Sequence, residues 1–177
     1  MKTIALVIGG ARSGKSWYAQ QLAAEFKKVT FIATAQPADA DMRRKIATHR
    51  EERPAAWKTV EAPMDLPAAM RKEGAKADVL LIDCLTVYLA NVMGIKRTEL
   101  QRCHTHILQI GEAFQSTAAS VIAVSNEVGS GIVPAYRSGR IYRDLLGQLN
   151  QEIAKIADRV ILMVAGLPLA VKEQRVS

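Results

Sequence analysis

The sequence predicts a single α/β domain spanning residues 1–177, with helices on both faces of a mostly parallel central sheet. Short apolar runs typical of buried strands alternate along the chain with longer segments of helical periodicity, which indicates βαβ units. The length of 177 residues is enough for one domain with a sizeable core. No internal repeat, linker or shift in composition indicates a second domain.

Each predicted strand is an apolar run without helical spacing, as expected for a strand covered on both faces. The strands are predicted at Ile4–Ile8, Val29–Ala33, Val79–Ile82, Ser120–Ser125 and Arg159–Val164. The helices, recognised by apolar residues at helical spacing, are predicted at Ser16–Phe26, Asp39–Arg50, Leu66–Glu73, Glu99–Thr117 and Ser138–Ala157. The segment Arg53–Pro67 carries three prolines and is predicted to lie irregularly on the surface. Ligands bind at the carboxyl ends of parallel strands, so residues that follow a strand are candidate site residues.

The composition limits the class of partner. The formal net charge is +7, which favours negatively charged ligands. The lysines and arginines are dispersed along the chain, and aromatic residues make up only 5% of it. Dispersed charge and little surface for base stacking favour phosphorylated small molecules over nucleic acid.

Cysteine usage and hydropathy predict an intracellular protein. Cys84 and Cys103 have neither metal-ligand nor redox-motif spacing, and Cys84 lies in an apolar run typical of a core side chain. Gly9 and Gly10 interrupt the N-terminal apolar run, so no signal peptide is expected. No apolar run approaches the ~18 residues of a membrane span. The expected localisation is therefore cytoplasmic.

The first predicted strand is followed at once by Gly9-Gly10-Ala11-Arg12-Ser13-Gly14-Lys15-Ser16, which has the pattern G-x-x-x-x-G-K-S. The glycines let the backbone turn its N–H groups toward an oligophosphate, Lys15 reaches the β and γ phosphates, and the Ser16 hydroxyl can ligate Mg²⁺. A helix beginning near Gly14 directs its positive end at the same anion. Strand, loop and helix occur in the required order, so the sequence predicts a P-loop NTPase fold that binds a nucleoside triphosphate.

A second motif resembles a Walker B strand, because the apolar run from Val79 ends in Asp83. Asp83 would hold Mg²⁺ directly or through water, together with Ser16. Many buried strands end in an aspartate that caps a helix. The metal role therefore depends on the pairing of Asp83 with the phosphate loop. Thr34, after the second predicted strand, and Asn126, after the fourth, are further polar residues at strand ends.

His49 is the most consequential residue outside the phosphate loop. It shares a helix face with Met42 and Ile46, and from spacing alone a structural role in a semi-buried position is the usual one. Its basic neighbours suit an anionic ligand, and their charge lowers the pKa of the imidazole and keeps it neutral, as a nucleophile toward phosphorus requires. Those neighbours are Arg43, Arg44, Lys45, Arg50 and Arg53. His104 and His106 are predicted to face solvent on an outer helix.

At these motifs the chain resembles the bifunctional adenosylcobinamide kinase / adenosylcobinamide-phosphate guanylyltransferase family of cobalamin biosynthesis, and the resemblance runs almost from end to end. The phosphate loop alone fits many families. The string H-R-x-x-R-P-x-x-W-x-T-x-E from His49 and the string N-E-V-G-x-G-I-V-P from Asn126 are specific in combination. Further matching segments are Phe31–Ala35, Leu81–Thr86 and Ala165–Pro168.

The resemblance implies two reactions. A kinase step would move the γ-phosphoryl group of ATP or GTP onto the aminopropanol hydroxyl of adenosylcobinamide, with Lys15 as a catalytic residue and Mg²⁺ between Ser16 and Asp83. A guanylyltransferase step would follow, in which His49 attacks the α-phosphorus of GTP, releases pyrophosphate and passes GMP to adenosylcobinamide phosphate. The resemblance assigns nucleotide binding outside the phosphate loop to Ala33, Thr34, Ala35, Arg50, Glu51, Glu52, Arg53, Glu61 and Asp83.

The resemblance also implies a homotrimer in which a neighbouring subunit helps to complete the site, and a corrinoid substrate. No nucleic-acid partner is expected, because of the composition. A loop that grips the β and γ phosphates suits γ-transfer, whereas His49 must reach the α-phosphorus. Either the triphosphate shifts between the two steps or the Asp39–Arg50 helix moves.

Three other functions stay open from the residues alone. One is a kinase for another small molecule in which His49 is structural. Another is a regulatory GTPase, because Asp144–Gly147 reads D-x-x-G, although it lies in a helical pattern and no N-K-x-D motif occurs. The third is an ATPase acting on nucleic acid, which the low aromatic content and dispersed charge disfavour.

Overall fold

A computed structural model describes residues 1–36, 44, 53–95 and 100–173. The strands are β1 (Ile4–Gly9), β2 (Val29–Ala33), β3 (Lys58–Glu61), β4 (Val79–Asp83), β5 (Ser120–Asn126), β6 (Arg159–Val164) and β7 (Leu167–Glu173). The helices are α1 (Lys15–Ala23), α2 (Leu66–Gly74), α3 (Leu85–Ile95), α4 (Leu100–Ser116) and α5 (Arg137–Ile156). The predicted alternation of strands and helices is confirmed over these residues.

The strands form one seven-stranded sheet in the order β3-β2-β4-β5-β1-β6-β7. All neighbouring strands pair in parallel except β6 and β7, which are antiparallel. The register sets Gly9 opposite Asn126, and Asp83 opposite Ala33 and Val124. The phosphate loop and the ends of β2, β4 and β5 therefore meet at one edge of the sheet.

Two apolar clusters cover the two faces of the sheet, because side chains along each strand alternate between them. The larger cluster joins Leu6, Ile82 and Val121 to the apolar faces of α2, α3, α4 and α5. The smaller cluster joins Val7, Leu81 and other strand residues to α1. Helices thus lie on both faces, as predicted. The strands between them are nearly continuous apolar runs because both of their faces are buried.

Edge strand β3 is tied to α2 by an ion pair. Lys58 Nζ donates a hydrogen bond of 2.5 Å to Glu73 Oε2, and the Glu73 side chain is only 3% exposed. This hydrogen bond lowers the pKa of Glu73, although burial alone would raise it. Helix α2 begins after Asp65, whose Oδ1 accepts a hydrogen bond from the Ala68 N–H at 3.0 Å. The ion pair between Lys58 and Glu73 thus fixes β3, the strand that ends in Glu61.

The structure corrects the prediction at four elements: β3, α3 and β7 were not predicted, and α1 is shorter than expected. The Arg53–Pro67 segment, expected to be irregular, contains β3, whose mostly exposed residues give no apolar run. Helix α3 is apolar nearly throughout and follows β4 after one residue. Hydrophobic periodicity therefore gives no boundary between this strand and this helix. Strand β7 is an exposed edge strand. Helix α1 ends at Ala23, before the predicted Phe26. The predicted Asp39–Arg50 helix lies outside the described residues, Arg44 excepted.

Candidate active site

The loop between β1 and α1 has a backbone that only particular residues can adopt. Gly14, the N-cap of α1, has φ 90°, in the left-handed region that favours glycine. At Gly9, a Cβ would lie 2.6 Å from the Met163 carbonyl oxygen, so the close approach of β6 excludes a side chain. The Gly166 N–H donates a hydrogen bond of 3.1 Å to the Ser13 carbonyl. The β6–β7 turn therefore supports the loop from outside.

Lys15 points back into this loop rather than into solvent. Lys15 is only 8% exposed, and its Nζ donates hydrogen bonds to the Gly10 carbonyl at 2.5 Å and to Ser13 Oγ at 3.4 Å. Burial lowers the pKa of the ammonium, and the negative charge of Asp83 opposes that effect. The Gly10 carbonyl oxygen thus binds the Lys15 ammonium, and a phosphate oxygen of a bound ligand would compete with it for this cation.

A cleft of about 680 Å³ opens over the loop and the first turns of α1. Its volume is within the range of small-molecule sites. The N-terminal end of α1 and the buried ammonium make this cleft attractive to anions. It is lined by Arg12, Ser13, Gly14, Lys15, Ser16, Trp17, Gln20 and Gln21.

Asp83 lies at the same edge, at the end of β4, and is half-buried. Strand β5 separates β4 from β1, so the two strand ends are about 10 Å apart across the sheet. Asp83 still acts electrostatically on Lys15. Among the described residues, no group of three or more His, Cys, Asp or Glu side chains is arranged to hold a metal ion. The chemistry fits Mg²⁺, which commonly takes one or two protein oxygens and completes its shell with phosphate and water.

Thr34 links the ends of β2 and β4. Its side chain is fully buried, and its hydroxyl both donates to the Cys84 carbonyl and accepts from the Cys84 N–H, each at 2.8 Å. The Thr34 N–H donates to the Asp83 carbonyl at 3.2 Å, and Asn91 Nδ2 donates to the Thr34 carbonyl at 2.8 Å. Cys84, predicted as a core side chain, is half-buried against the smaller apolar cluster, and burial raises the pKa of its thiol to about 11. This network fixes the backbone that carries Asp83.

A second network fixes the end of β5. The Asn126 N–H donates to Thr86 Oγ1 at 2.7 Å, and Asn150 Nδ2 donates to the Asn126 carbonyl at 3.0 Å. The Tyr142 hydroxyl donates to the Thr86 carbonyl at 3.0 Å. Sequence reasoning assigned no role to Thr86, Tyr142 or Asn150, because the contacts join elements far apart in the chain. The position of Asn126 at a strand end was the available signal.

The segment after β5 reaches back to the phosphate loop and then becomes exposed. The Glu127 N–H donates to the Gly9 carbonyl at 2.9 Å, and the Glu127 carboxylate accepts from the Gly129 and Ser130 N–H groups. Beyond this turn, Ile132 and Val133 are exposed, with Ile132 at 96%. An exposed apolar segment beside a ligand cleft is a candidate contact surface.

The other predicted site residues are placed as follows. Ala33 and Ala35 flank Thr34 at the edge of the sheet, and Glu61 is exposed at the end of β3, opposite Ala33. The Arg53 guanidinium carbon lies 3.6 Å from the centroid of the Phe31 ring, a cation–π contact. His49, Arg50, Glu51 and Glu52 lie outside the described residues.

Two secondary predictions have mixed outcomes. His104 is exposed as expected, whereas His106 is half-buried beside a cleft between α2 and α4. The segment that reads D-x-x-G lies inside α5, and its Asp144 forms a surface ion pair of 3.1 Å with Arg143. No described helix combines the length and apolar character that a membrane crossing needs.

Sequence comparisons agree with the motifs. The family model described as cobinamide kinase / cobinamide phosphate guanyltransferase matches residues 5–171. The bifunctional adenosylcobalamin biosynthesis protein CobP of Pseudomonas aeruginosa is 44% identical over 168 residues, covering 94% of this chain and 96% of that protein. The bifunctional adenosylcobalamin biosynthesis protein CobU of Salmonella typhimurium is 37% identical over 178 residues, covering 94% of this chain and 98% of that protein.

Solved structures support the fold. An ATPase from the type III secretion system of pathogenic bacteria superposes with a TM-score of 0.56 at 10% identity, over 95% of this chain and 56% of that one. The PH0250 protein of Pyrococcus horikoshii OT3 superposes with a TM-score of 0.59 at 6% identity, over 99% of this chain and 90% of that one. Identities this low bear on the fold alone.

Proposed function

The chain belongs to the cobinamide kinase / cobinamide phosphate guanyltransferase family and is a bifunctional kinase and guanylyltransferase of adenosylcobalamin biosynthesis; on that premise we propose how its residues divide the two reactions. One domain, residues 1–177, carries both. The observation that carries the proposal is the pairing of the phosphate loop, with its buried Lys15, and the carboxylate of Asp83 at the same sheet edge.

In the kinase step, the loop Gly9–Ser16 holds the phosphates of ATP or GTP by its backbone N–H groups. The Lys15 ammonium leaves the Gly10 carbonyl, which it contacts at 2.5 Å, and pairs with the β and γ phosphate oxygens. Because this ammonium is already buried, it loses little further hydration and its charge acts at full strength on the γ-phosphoryl group. The aminopropanol hydroxyl of adenosylcobinamide accepts that group as the bond to the β-phosphate breaks.

Ser16 and Asp83 are the residues that would hold Mg²⁺. Ser16 directly follows the loop lysine, and Asp83 is fixed by the hydrogen bonds of Thr34 to the adjoining backbone. When bound, this cation would neutralise the negative charge that develops on the phosphates. Asp83 also partly compensates the desolvated charge of Lys15.

In the guanylyltransferase step, a neutral nitrogen of His49 attacks the α-phosphorus of GTP and pyrophosphate leaves. The phosphate of adenosylcobinamide phosphate then attacks the same phosphorus, the bond to the imidazole breaks, and adenosylcobinamide-GDP is released. Glu61 suits the N1 and N2 donors of guanine or the ribose hydroxyls, because it is an exposed carboxylate beside the strand end at Ala33. The remaining residues that we assign to guanine nucleotide binding are Ala33, Thr34, Ala35, Arg50, Glu51, Glu52 and Arg53.

The corrinoid and a neighbouring subunit are further proposed partners, within a cytoplasmic homotrimer. The exposed apolar residues Ile132 and Val133 support this, because they follow directly on the turn that touches the phosphate loop through Glu127. Such a segment suits the large apolar faces of a corrinoid or the surface of another subunit better than water.

The test of the proposed intermediate is covalent labelling. Purified protein is incubated with GTP carrying a radioactive α-phosphorus, denatured, and examined for acid-labile label. We expect label in the wild-type protein and in His104→Ala, a control that removes an exposed histidine on α4, and none in His49→Ala. The His49→Ala variant should retain phosphorylation of adenosylcobinamide. Absence of label from a wild-type protein that still phosphorylates the corrinoid would instead support a plain kinase with a structural His49.

A further inference from the structure

Trp17 has no assigned role, and its exposure calls for a physical explanation. It follows Ser16 directly and is 63% exposed on the first turns of α1. Aromatic residues are scarce in this chain, at 5%. The other tryptophan, Trp57, packs against the apolar cluster under α1 and β2 and is half-buried. Tryptophan is enriched at contact surfaces, because the indole has a large apolar face and one N–H donor.

The position of Trp17 indicates a ligand in the adjacent cleft. The indole lines the same 680 Å³ cleft as the phosphate loop. Gln20 and Gln21 also line it, and their spacing of three and four residues places them on the helix face of Trp17. The wall next to the loop therefore combines one aromatic surface with amide groups that can donate and accept hydrogen bonds. Such a wall suits a nucleobase, whose flat face can stack on the indole and whose polar edge can form hydrogen bonds with the amides.

We propose that Trp17 is the base-stacking residue for the nucleotide held for γ-phosphoryl transfer, with the indole covering one face of its purine. The residues assigned to guanine at the ends of β2 and β3 act in the guanylyltransferase step. This inference rests on the proposed binding of a nucleoside triphosphate in the loop Gly9–Ser16. A nucleotide whose phosphates lie on the loop N–H groups carries its sugar and base outward, past the residue that follows Ser16. Trp17 then determines affinity for the nucleoside part, whereas Lys15 determines affinity for the phosphates.

The experiment compares GTP with inorganic tripolyphosphate, which has the phosphates but no base, by calorimetric titration of the full chain. Because base stacking on an aromatic residue contributes affinity that alanine substitution removes, Trp17→Ala should weaken GTP binding by about ten- to hundredfold. Its affinity for tripolyphosphate should stay within about twofold of wild type. Trp17→Phe should recover most of the GTP affinity, and Trp57→Phe, which alters the other tryptophan, should change neither.

A spectroscopic measurement distinguishes stacking from an indirect effect. In Trp57→Phe the indole of Trp17 is the sole tryptophan fluorophore, and we expect GTP, but not tripolyphosphate, to quench its emission. Equal weakening of both ligands by Trp17→Ala, or unchanged GTP binding, would overturn the assignment and indicate a structural or subunit-contact role. A wild-type protein that binds neither ligand would refute the nucleotide site itself, and this inference with it. Binding of tripolyphosphate without preference for GTP would refute only the inference.

Discussion

Replacing Thr34 by valine tests whether this residue serves the site by fixing its backbone or by contacting the nucleotide. Valine keeps the shape of the fully buried side chain and removes only the hydroxyl. That hydroxyl accepts the Cys84 N–H and donates to the Cys84 carbonyl, each at 2.8 Å. The carbonyl retains a second hydrogen bond, from the Tyr88 N–H at 3.2 Å, whereas the N–H would lose its partner at this position.

The cost follows from that asymmetry. An unsatisfied buried donor costs ~1–3 kcal/mol, so we expect Thr34→Val to lower the free energy of unfolding by about 2 kcal/mol. For a chain of this size, that corresponds to a fall in Tm of about 4–8 °C. Thr34→Ser keeps the hydroxyl and loses one methyl group, for which we expect a loss of about 1 kcal/mol or less. Because Cys84 adjoins Asp83, Thr34→Val should also raise the Mg²⁺ concentration needed for half-maximal kinase activity.

Thermal unfolding of both variants, followed by circular dichroism, gives the stability order, and kinase assays at graded Mg²⁺ give the functional effect. A Thr34→Ser variant as unstable as Thr34→Val would refute the hydroxyl network as the cause. A Thr34→Val variant with wild-type stability but a raised KM for the nucleotide would instead make Thr34 a ligand contact.

Lys15→Met should remove both activities, because both need the bound triphosphate. Its Tm should be unchanged or higher, since the substitution removes a desolvated charge. Surviving kinase turnover would contradict the assignment of the phosphate site. Asp83→Asn should lower Mg²⁺-dependent turnover by at least about tenfold with little change in Tm, and an unfolded variant would make Asp83 structural. The lowered pKa of Glu73 stabilises the fold above the unfolded-state pKa of about 4.3, and this contribution is lost as the pH falls through the folded-state pKa. Acid titration of the unfolding free energy should therefore be shallower in Glu73→Gln than in wild type. Lys58→Ala should reproduce part of that change.

Elements with strong local signals were predictable. The runs that became β1, β2 and β4 are apolar on both faces, and the boundaries of α2 and α5 were predicted to within one residue at each end. Strand β3 was missed because Lys58–Glu61 is mostly exposed and is held by its register with β2 and by the ion pair to Glu73, which are long-range contacts. Strand β7 was missed although Leu167–Val171 is apolar, because Pro168 lies within the run and pairing with β6 at the exposed edge defines the strand.

The candidate site divides in the same way. The phosphate loop is one continuous segment, so its glycines, Lys15 and Ser16 are recognisable from their spacing. The contact of Glu127 with Gly9, by contrast, depends on β5 lying next to β1. The roles of His49, Arg50, Glu51 and Glu52 remain predictions, since these residues lie outside the described part of the chain.

The sequence by itself determined the class of fold, the phosphate loop and the family, because each is encoded in short segments whose periodicity or spacing is local. Only the tertiary structure decided the strand order, the desolvation of Lys15 and the network of Thr34 around Asp83. These features arise from contacts between residues distant in the chain. Their free energy depends on burial and distance, which composition and spacing do not specify.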